Sequence, residues 1–427
     1  MTLVLPGPGT RVLVWGFGRH GGGAAAARFC AGLGAQVEIL EQKPATAFGM
    51  SAAPWPWHLG DGSHPAVAQA DLIVASPAIP PRAWPAQHPP RTSPEGLFCA
   101  AHHGPRVAVT GTKGKSTTAA ILGALLGWRV AGNSYEPLLD LLMAHGPDVP
   151  LVCELSSFQL WYLAAHPPRF AGAVCTSLAV DHLDWHPDLN HYRASKLALF
   201  GWADVLAMAP ETAILAPSGA VHAIPVQVTD DGFDRAGQRV AARSDLALLG
   251  AHNARNAALA LALAAQLATP VEQLAPRLRT VVSLPHRLEP IQGADGRQYF
   301  NDSIATTPES AMAALQAVPP GPLAVILGGS DKGASFAQLA ASVAARGAQA
   351  ILIGSTAPRL AEALVAVGLA PVMARTLAAA VAAARAAIPV GGTILLSPAC
   401  ASFDQFSGFE HRGACFRELA INGGRAG

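Results

Sequence analysis

Three times along this chain a short aliphatic run breaks into a glycine-rich loop and then into a stretch of helical character. Residues 11–15 run into Gly16-Phe17-Gly18-Arg19-His20-Gly21-Gly22-Gly23. Residues 106–109 run into Thr110-Gly111-Thr112-Lys113-Gly114-Lys115-Ser116-Thr117-Thr118, and residues 323–327 into Gly328-Gly329-Ser330-Asp331-Lys332-Gly333. Strands that alternate with helices argue for parallel sheets, because parallel neighbours need a crossover of a dozen or more residues. Further apolar runs of strand length at 36–40, 71–75, 151–154, 173–176, 350–353 and 393–396 continue the alternation, with helical stretches near 190–200 and 251–268. The chain reads as three α/β units with parallel sheets throughout. The first closes on the Pro-rich stretch 80–94, and the third begins near Pro285. A length of 427 residues exceeds the size at which one core keeps growing, in agreement with this division.

Composition excludes several classes. Charged residues are 13% of the chain, against roughly 25% in an average globular protein, and Ala, Gly and Pro make up the difference. The longest apolar stretch, 257–268, is interrupted by Gln266 and stops at Thr269-Pro270. That is short of the roughly 20 residues of a bilayer span, so no membrane insertion is expected. A net charge of +1 without a basic block offers no footprint for nucleic acid. The six cysteines form no C-x-x-C pair and several, such as Cys153 after Leu151-Val152, sit in apolar runs, as free thiols of a reducing compartment do. The first residues carry no charged segment followed by a hydrophobic one, so a cytoplasmic protein is expected, with a monomer as the default.

The loop from Gly111 to Thr117 carries the strongest chemical signal. Between a strand and a helix, its glycines let backbone N–H groups approach phosphate oxygens, Lys115 can reach the β- and γ-phosphates, and Ser116 can ligate Mg²⁺. Val109 stands where the usual first glycine would be. Glu154 ends the next strand, where a carboxylate can hold a hard cation or merely cap the following helix. In Asp181-His182-Leu183-Asp184-Trp185-His186, the i, i+4 pair His182 and His186 could suggest zinc, but no third nitrogen or sulfur ligand is nearby and a phosphate loop calls for Mg²⁺. The first glycine turn, Gly16, Gly18 and Gly21 with Glu41 about 20 positions on, partly fits a nucleotide-binding pattern; such turns also serve plain strand-to-helix packing. Lys196 reads as a solvated helix lysine, Pro285-His286-Arg287 as a turn and Asn301-Asp302-Ser303 as a helix cap. The loops 328–333 and 397–406 both end strands on one edge of the third sheet, where a ligand would bind.

Taken in order, these segments resemble the Mur ligase family over nearly the whole chain. The resemblance rests on Gly111 to Thr117, Glu154-Leu155-Ser156-Ser157-Phe158-Gln159-Leu160, Asp181 to Asp184, Tyr192-Arg193-Ala194-Ser195-Lys196, His252-Asn253 with Asn256, Pro285-His286-Arg287, Asn301-Asp302-Ser303 and Ser397 to Phe406. Within the family, the Glu154 and Ser397 segments look like the ligases that add glutamate to UDP-N-acetylmuramoyl-L-alanine in peptidoglycan synthesis. The resemblance implies an α/β fold of three domains, each a mostly parallel sheet with flanking helices. These are a Rossmann-like, UDP-substrate-binding domain (1–90), a central P-loop ATP-binding domain (91–283) and a Rossmann-like, amino-acid-binding domain (284–427). It implies an ATP-dependent amide ligation, with D-glutamate as the amino acid, by way of an acyl phosphate, with two Mg²⁺ ions. Closure of the domains would protect that intermediate from water.

It also implies roles that the residues alone leave open. Gly111, Thr112, Lys113, Gly114, Lys115, Ser116, Thr117, Asn256, Arg287 and Asp302 would hold ATP. Ser116, Glu154, His182 and a carbamylated Lys196 would hold Mg²⁺, with Lys115, His182 and Lys196 catalytic. Gly16, Phe17, Gly18, Arg19, Glu41, Ser76, Pro77, Asn133, Ser156 and Gln159 would serve the UDP substrate, and Thr306, Lys332, Ser402 and Phe409 the glutamate. Two departures bear on this. Ile304 stands where a lysine is common, which makes L-glutamate an alternative, and Gly132-Asn133-Ser134-Tyr135-Glu136-Pro137 replaces a usual Gly-Asn-Ile-Gly. An NAD-linked oxidoreductase would leave the Lys115 loop idle, and a regulatory P-loop ATPase would give the third unit no task. A folylpolyglutamate synthase-like ligase shares the chemistry, but the Glu154 and Ser402 segments speak against it.

Overall fold

The computed structural model describes residues 3–18, 21–267, 269–331 and 333–422. Two compact units are formed, one from Met1–Asp245 with Arg255–Thr280 and the other from Leu246–Ala254 with Val281–Gly427.

The first unit holds two parallel five-stranded sheets. One contains β1 (Arg11–Trp15), β2 (Gln36–Glu41), β3 (Trp57–Leu59), β4 (Leu72–Ala75) and β5 (Arg91–Thr92), in the order β3-β2-β1-β4-β5. The other contains β6 (Arg106–Thr110), β7 (Arg129–Gly132), β8 (Leu151–Glu154), β9 (Gly172–Cys175) and β10 (Leu206–Met208), in the order β10-β9-β6-β8-β7. In both, the strand that precedes the glycine turn lies at the centre, so the chain reverses its direction of travel across the sheet there. Ligands bind at such a switch point, outside the carboxyl ends of the strands. Strands buried on both faces, such as Val107, Ala108 and Val109 at 0% exposure, read as unbroken apolar runs for this reason.

The expectation of parallel pairing everywhere needs correction in two places. β11 (Val226–Val228), β12 (Gly232–Arg235) and β13 (Gln238–Ala242) form an antiparallel meander. Only Ala236 and Gly237 join β12 to β13, with φ of 50° and 80°, the two left-handed residues that a two-residue hairpin turn requires. In the second unit, β14 (Glu289–Gln292) pairs antiparallel with β15 (Gln298–Asn301), again across a link too short for a crossover helix. The rest of that sheet is parallel: β16 (Leu323–Gly328), β17 (Gln349–Ile353), β18 (Val372–Met373) and β19 (Thr393–Leu396) complete the order β14-β15-β19-β16-β17-β18. Among the described residues no helix is long and apolar enough to cross a membrane, and residues 257–266 of the apolar stretch lie in the helix Ala251–Gln266. All six cysteines are free.

Candidate active site

The loop after β6 is set by the segment that follows β9. Gly111 has φ of 145°, and a side chain there would collide with the hydroxyl of Thr176. Thr112 N–H donates to the Ser177 carbonyl at 2.8 Å, and the Thr176 hydroxyl donates to the Lys113 carbonyl at 2.5 Å. Thr112 is buried, its hydroxyl 2.7 Å from the Tyr192 hydroxyl and accepting from Ala179 N–H at 2.9 Å. Gly114, at φ 87°, leads into the helix Lys115–Leu126, and the Asn256 side chain packs where a Gly114 Cβ would be. Lys113 is exposed and Thr117 half-buried, while Lys115 reaches back to donate to the Thr112 carbonyl at 3.2 Å. A helix N-terminus with a lysine folded over it favours negative charge.

Glu154, the last residue of β8, is fully buried. Its Oε1 accepts from Ser116 Oγ at 3.2 Å, Asn133 Nδ2 at 3.2 Å and Ser134 Oγ at 3.1 Å, whereas its Oε2 is buried without a hydrogen-bond partner among the described residues. The alternative reading of Glu154 as a helix cap does not hold: Ser156 caps the helix Ser157–Leu163, accepting from Gln159 N–H at 3.3 Å while Gln159 Oε1 accepts from Ser156 N–H at 2.7 Å. Gln159 is buried and its amide also donates to Glu95 at 2.8 Å, so both polar ends of this residue are engaged inside the protein.

Lys196 is not the solvated lysine that its helix suggests. It is 2% exposed, donates to the Gly111 carbonyl at 2.9 Å and lies 5.1 Å from the Tyr192 ring centre. Burial first, and the charge of Lys115 second, push its amine down to about 7. Periodicity could not show this, because the surface that covers Lys196 belongs to the Gly111 loop.

The histidine pair reads differently. His182, at φ 56°, is partly exposed and packs edge-on against Phe158 at 4.8 Å, and burial lowers its pKa. His186 is buried, with Nε2 2.9 Å from Ser157 Oγ and Nδ1 2.7 Å from His191 Nδ1. Both of its nitrogens have partners, which sets aside the i, i+4 zinc idea.

The first glycine turn is closed on itself. Glu41 Oε2 accepts from Phe17 N–H at 2.9 Å and its Oε1 from Gln42 N–H at 2.8 Å, so this carboxylate secures the turn. The Phe17 ring is buried against Phe48 and Trp57. Ser76 packs against Gly16, whose φ is 87°, and its hydroxyl accepts from Ala78 N–H at 3.3 Å across Pro77; Gly18 has φ of 72°. Arg19 lies outside the described residues.

In the second unit, Asn301-Asp302-Ser303 is no helix cap; Thr307 caps the helix that follows, and Asn301 ends β15. Asp302 is buried, accepting from Ser397 Oγ at 2.8 Å and Leu288 N–H at 3.2 Å, and burial pushes its carboxyl up to about 7 against these two hydrogen bonds and, less, the charge of Arg287. Arg412, fully buried, donates to the Ser303 carbonyl at 2.8 Å and the Cys400 carbonyl at 3.1 Å, tying the Asp302 loop to the one that carries Ser402. Ser402 is buried, Thr306 is half-buried and Phe409 opens the helix Phe409–Ile421. Lys332 lies outside the described residues. Sequence reasoning missed Arg412, Glu95 and the Ser134 and Tyr135 hydroxyls; only the unusual 132–137 run hinted at the last two.

Comparison with known proteins identifies the family. Residues 109–209 match the model of the Mur ligase middle domain and residues 286–400 that of the Mur ligase glutamate ligase domain. A UDP-N-acetylmuramoylalanine–D-glutamate ligase of Anaeromyxobacter dehalogenans is 35% identical over 98% of both chains. A UDP-N-acetylmuramoyl-L-alanine–L-glutamate ligase of Xanthomonas oryzae is 32% identical over 96% of this chain and 95% of its own. In fold, the UDP-N-acetylmuramate-alanine ligase MurC of Thermotoga maritima superposes with a TM-score of 0.60 at 17% identity, covering 96% of this chain and 98% of that one. This chain belongs to the Mur ligase family and is an ATP-dependent ligase.

Proposed function

We propose that this ligase adds D-glutamate to the alanine carboxylate of UDP-N-acetylmuramoyl-L-alanine, in the cytoplasm, during peptidoglycan synthesis. The observation that carries the reading is Glu154, whose second oxygen is buried without a donor among the described residues, behind a phosphate-type loop. A buried carboxylate oxygen without a donor can be satisfied by a cation. Among the described residues no three His, Cys, Asp or Glu side chains converge as a ready-made metal site. Phosphate oxygens and a carbamylated Lys196 would therefore complete the ligands around Ser116, Glu154 and His182 at two Mg²⁺ sites. All these donors but His182 are hard oxygens, which suits Mg²⁺. When bound, Mg²⁺ would screen the repulsion between the substrate carboxylate and the γ-phosphate.

Lys196 suits carbamylation because its lowered pKa leaves a substantial share of neutral amine to attack CO₂ at neutral pH. Lys115 would neutralise the γ-phosphate as the alanine carboxylate attacks it, giving the acyl phosphate and ADP. The neutral glutamate amine then attacks the acyl carbon, and phosphate leaves. Asn256, Arg287 and Asp302 are proposed for the nucleotide, with the 111–117 backbone on its phosphates. The backbone of the first glycine turn, Ser76, Asn133 and the Ser156 end of its helix are proposed for the UDP substrate, and Thr306, Ser402 and Phe409 for glutamate.

The L-glutamate reading is kept open by one observation, Ile304 in place of a common lysine, together with the Xanthomonas relative. Phosphate release from Mg-ATP and UDP-N-acetylmuramoyl-L-alanine, with D-glutamate, L-glutamate or no amino acid, separates the readings. Stimulation by D-glutamate is expected. Stimulation by L-glutamate alone moves the substrate, and none by either removes the proposal.

A further inference from the structure

The turn after β7 is where this chain departs from Gly-Asn-Ile-Gly, and it is wrapped around one residue. Gly132, at φ 115°, lies so close to the backbone of Glu154 that a Cβ would collide with the Glu154 carbonyl. Asn133 N–H donates to that same carbonyl at 3.0 Å, and Gly132 N–H and Tyr135 N–H close the turn on Glu136 and Gly132. From this frame two hydroxyls reach inward. Ser134 Oγ donates to Glu154 Oε1 at 3.1 Å, and Tyr135 OH donates to the Ser116 carbonyl at 2.7 Å.

The consequence is an asymmetric carboxylate. Glu154 Oε1 takes three donors, from Ser116, Asn133 and Ser134, and Oε2 takes none among the described residues. A carboxylate pinned through one oxygen cannot rotate, so the other is held in one direction. The Ser116 hydroxyl has a single proton and two lone pairs; donating to Glu154 turns the lone pairs away from that carboxylate. Tyr135 fixes the backbone from which that hydroxyl projects. A partner that orients a ligand in this way acts on metal affinity without touching the metal.

We infer that Ser134 and Tyr135 are positioning residues for the cation of this ligase: Ser134 fixes which Glu154 oxygen faces it, and Tyr135 fixes Ser116. The inference rests on the reading of Glu154 as a cation ligand. Ser134 is exposed at its surface, so removing its hydroxyl opens no core cavity, and a plain turn residue there would be indifferent to metal.

The test is Mn²⁺ titrated into the full chain with a non-hydrolysable ATP analogue present, bound ion being counted by electron paramagnetic resonance. Beside it runs the Mg²⁺ dependence of phosphate release. For Ser134→Ala, Mn²⁺ affinity is expected to fall about tenfold, the lower end of what such partners contribute. The Mg²⁺ concentration for half-maximal rate should rise in step, with kcat at saturating Mg²⁺ and the thermal midpoint near those of the parent. Ser134→Thr keeps a hydroxyl and should restore the affinity; Tyr135→Phe should weaken it by a smaller factor, and stands as the test if Ser134→Ala does not fold. Unchanged Mn²⁺ affinity in both Ser134→Ala and Tyr135→Phe would overturn the inference. So would a loss in Ser134→Ala that Ser134→Thr does not reverse. Glu154→Gln separates the two levels: if it leaves Mn²⁺ binding intact, the reading of Glu154 itself is wrong, whereas if it alone abolishes binding, only the role of Ser134 and Tyr135 fails.

Discussion

The turns after β1 and β6 are built alike and equipped differently. Each follows the central strand of a parallel five-stranded sheet, uses glycines at positive φ and opens a helix. After β1, the acidic residue of the neighbouring strand, Glu41, bonds the turn's own Phe17 N–H. After β6, the acidic residue of the neighbouring strand, Glu154, keeps one oxygen unpartnered, and Lys115, Ser116 and Lys196 gather beside it. Glycines shape a turn that can admit a phosphate, but the charges at adjacent strand ends decide whether the turn performs chemistry or binds and packs.

The strongest attempt to break this contrast is Lys115→Ala. Phosphate release should fall by at least about a hundredfold, the scale for losing one preorganised charge at a reacting centre. A loss confined to the KM for ATP would show Lys115 to be a binding group only. Next in size is Gly23→Ala. A methyl there would collide with the carbonyls of Gly16 and Phe17, so the folded state should lose about 1–3 kcal/mol by urea denaturation. Equal stability would mean that the first turn is looser than its geometry.

Asp302, at a third strand end, tests how burial alone treats a carboxylate. Its carboxyl is held at about 7, above the ordinary 3.8, so the folded chain keeps a proton that the unfolded chain sheds. The stability this contributes is complete below about pH 4 and lost as pH rises through about 7. Asp302→Asn should therefore melt above the parent, by on the order of 1–2 kcal/mol at pH 8, with the gap narrowing as pH falls to 5. A gap independent of pH would contradict the shift. The smallest effect belongs to Gly18→Ala. At φ 72° an alanine is strained by roughly 1 kcal/mol, so the KM for the UDP substrate should rise a few-fold while that for ATP stays put. A matching change in the KM for ATP would dissolve the distinction between the turns.

Much of this was legible before any coordinates. The strands at 151–154 and 393–396 lie where their apolar runs place them, because strands buried on both faces need unbroken hydrophobic sequence. The Gly111 loop was equally plain. Lys196 was not, since its burial comes from a loop 85 residues away in sequence. The hairpin at Ala236-Gly237 was missed because alanine at positive φ gives no turn signal of its own.

Local chemistry along the chain determined the alternation of strands and helices, the phosphate-type loop and the family, since each depends on residues close in sequence. Which carboxylates were left with an oxygen unpartnered among the described residues, which lysine was stripped of water, and which histidine was already engaged were decided by tertiary structure alone. Those properties follow from desolvation and hydrogen-bond partners, and both are supplied by segments that meet only when the sheets are formed.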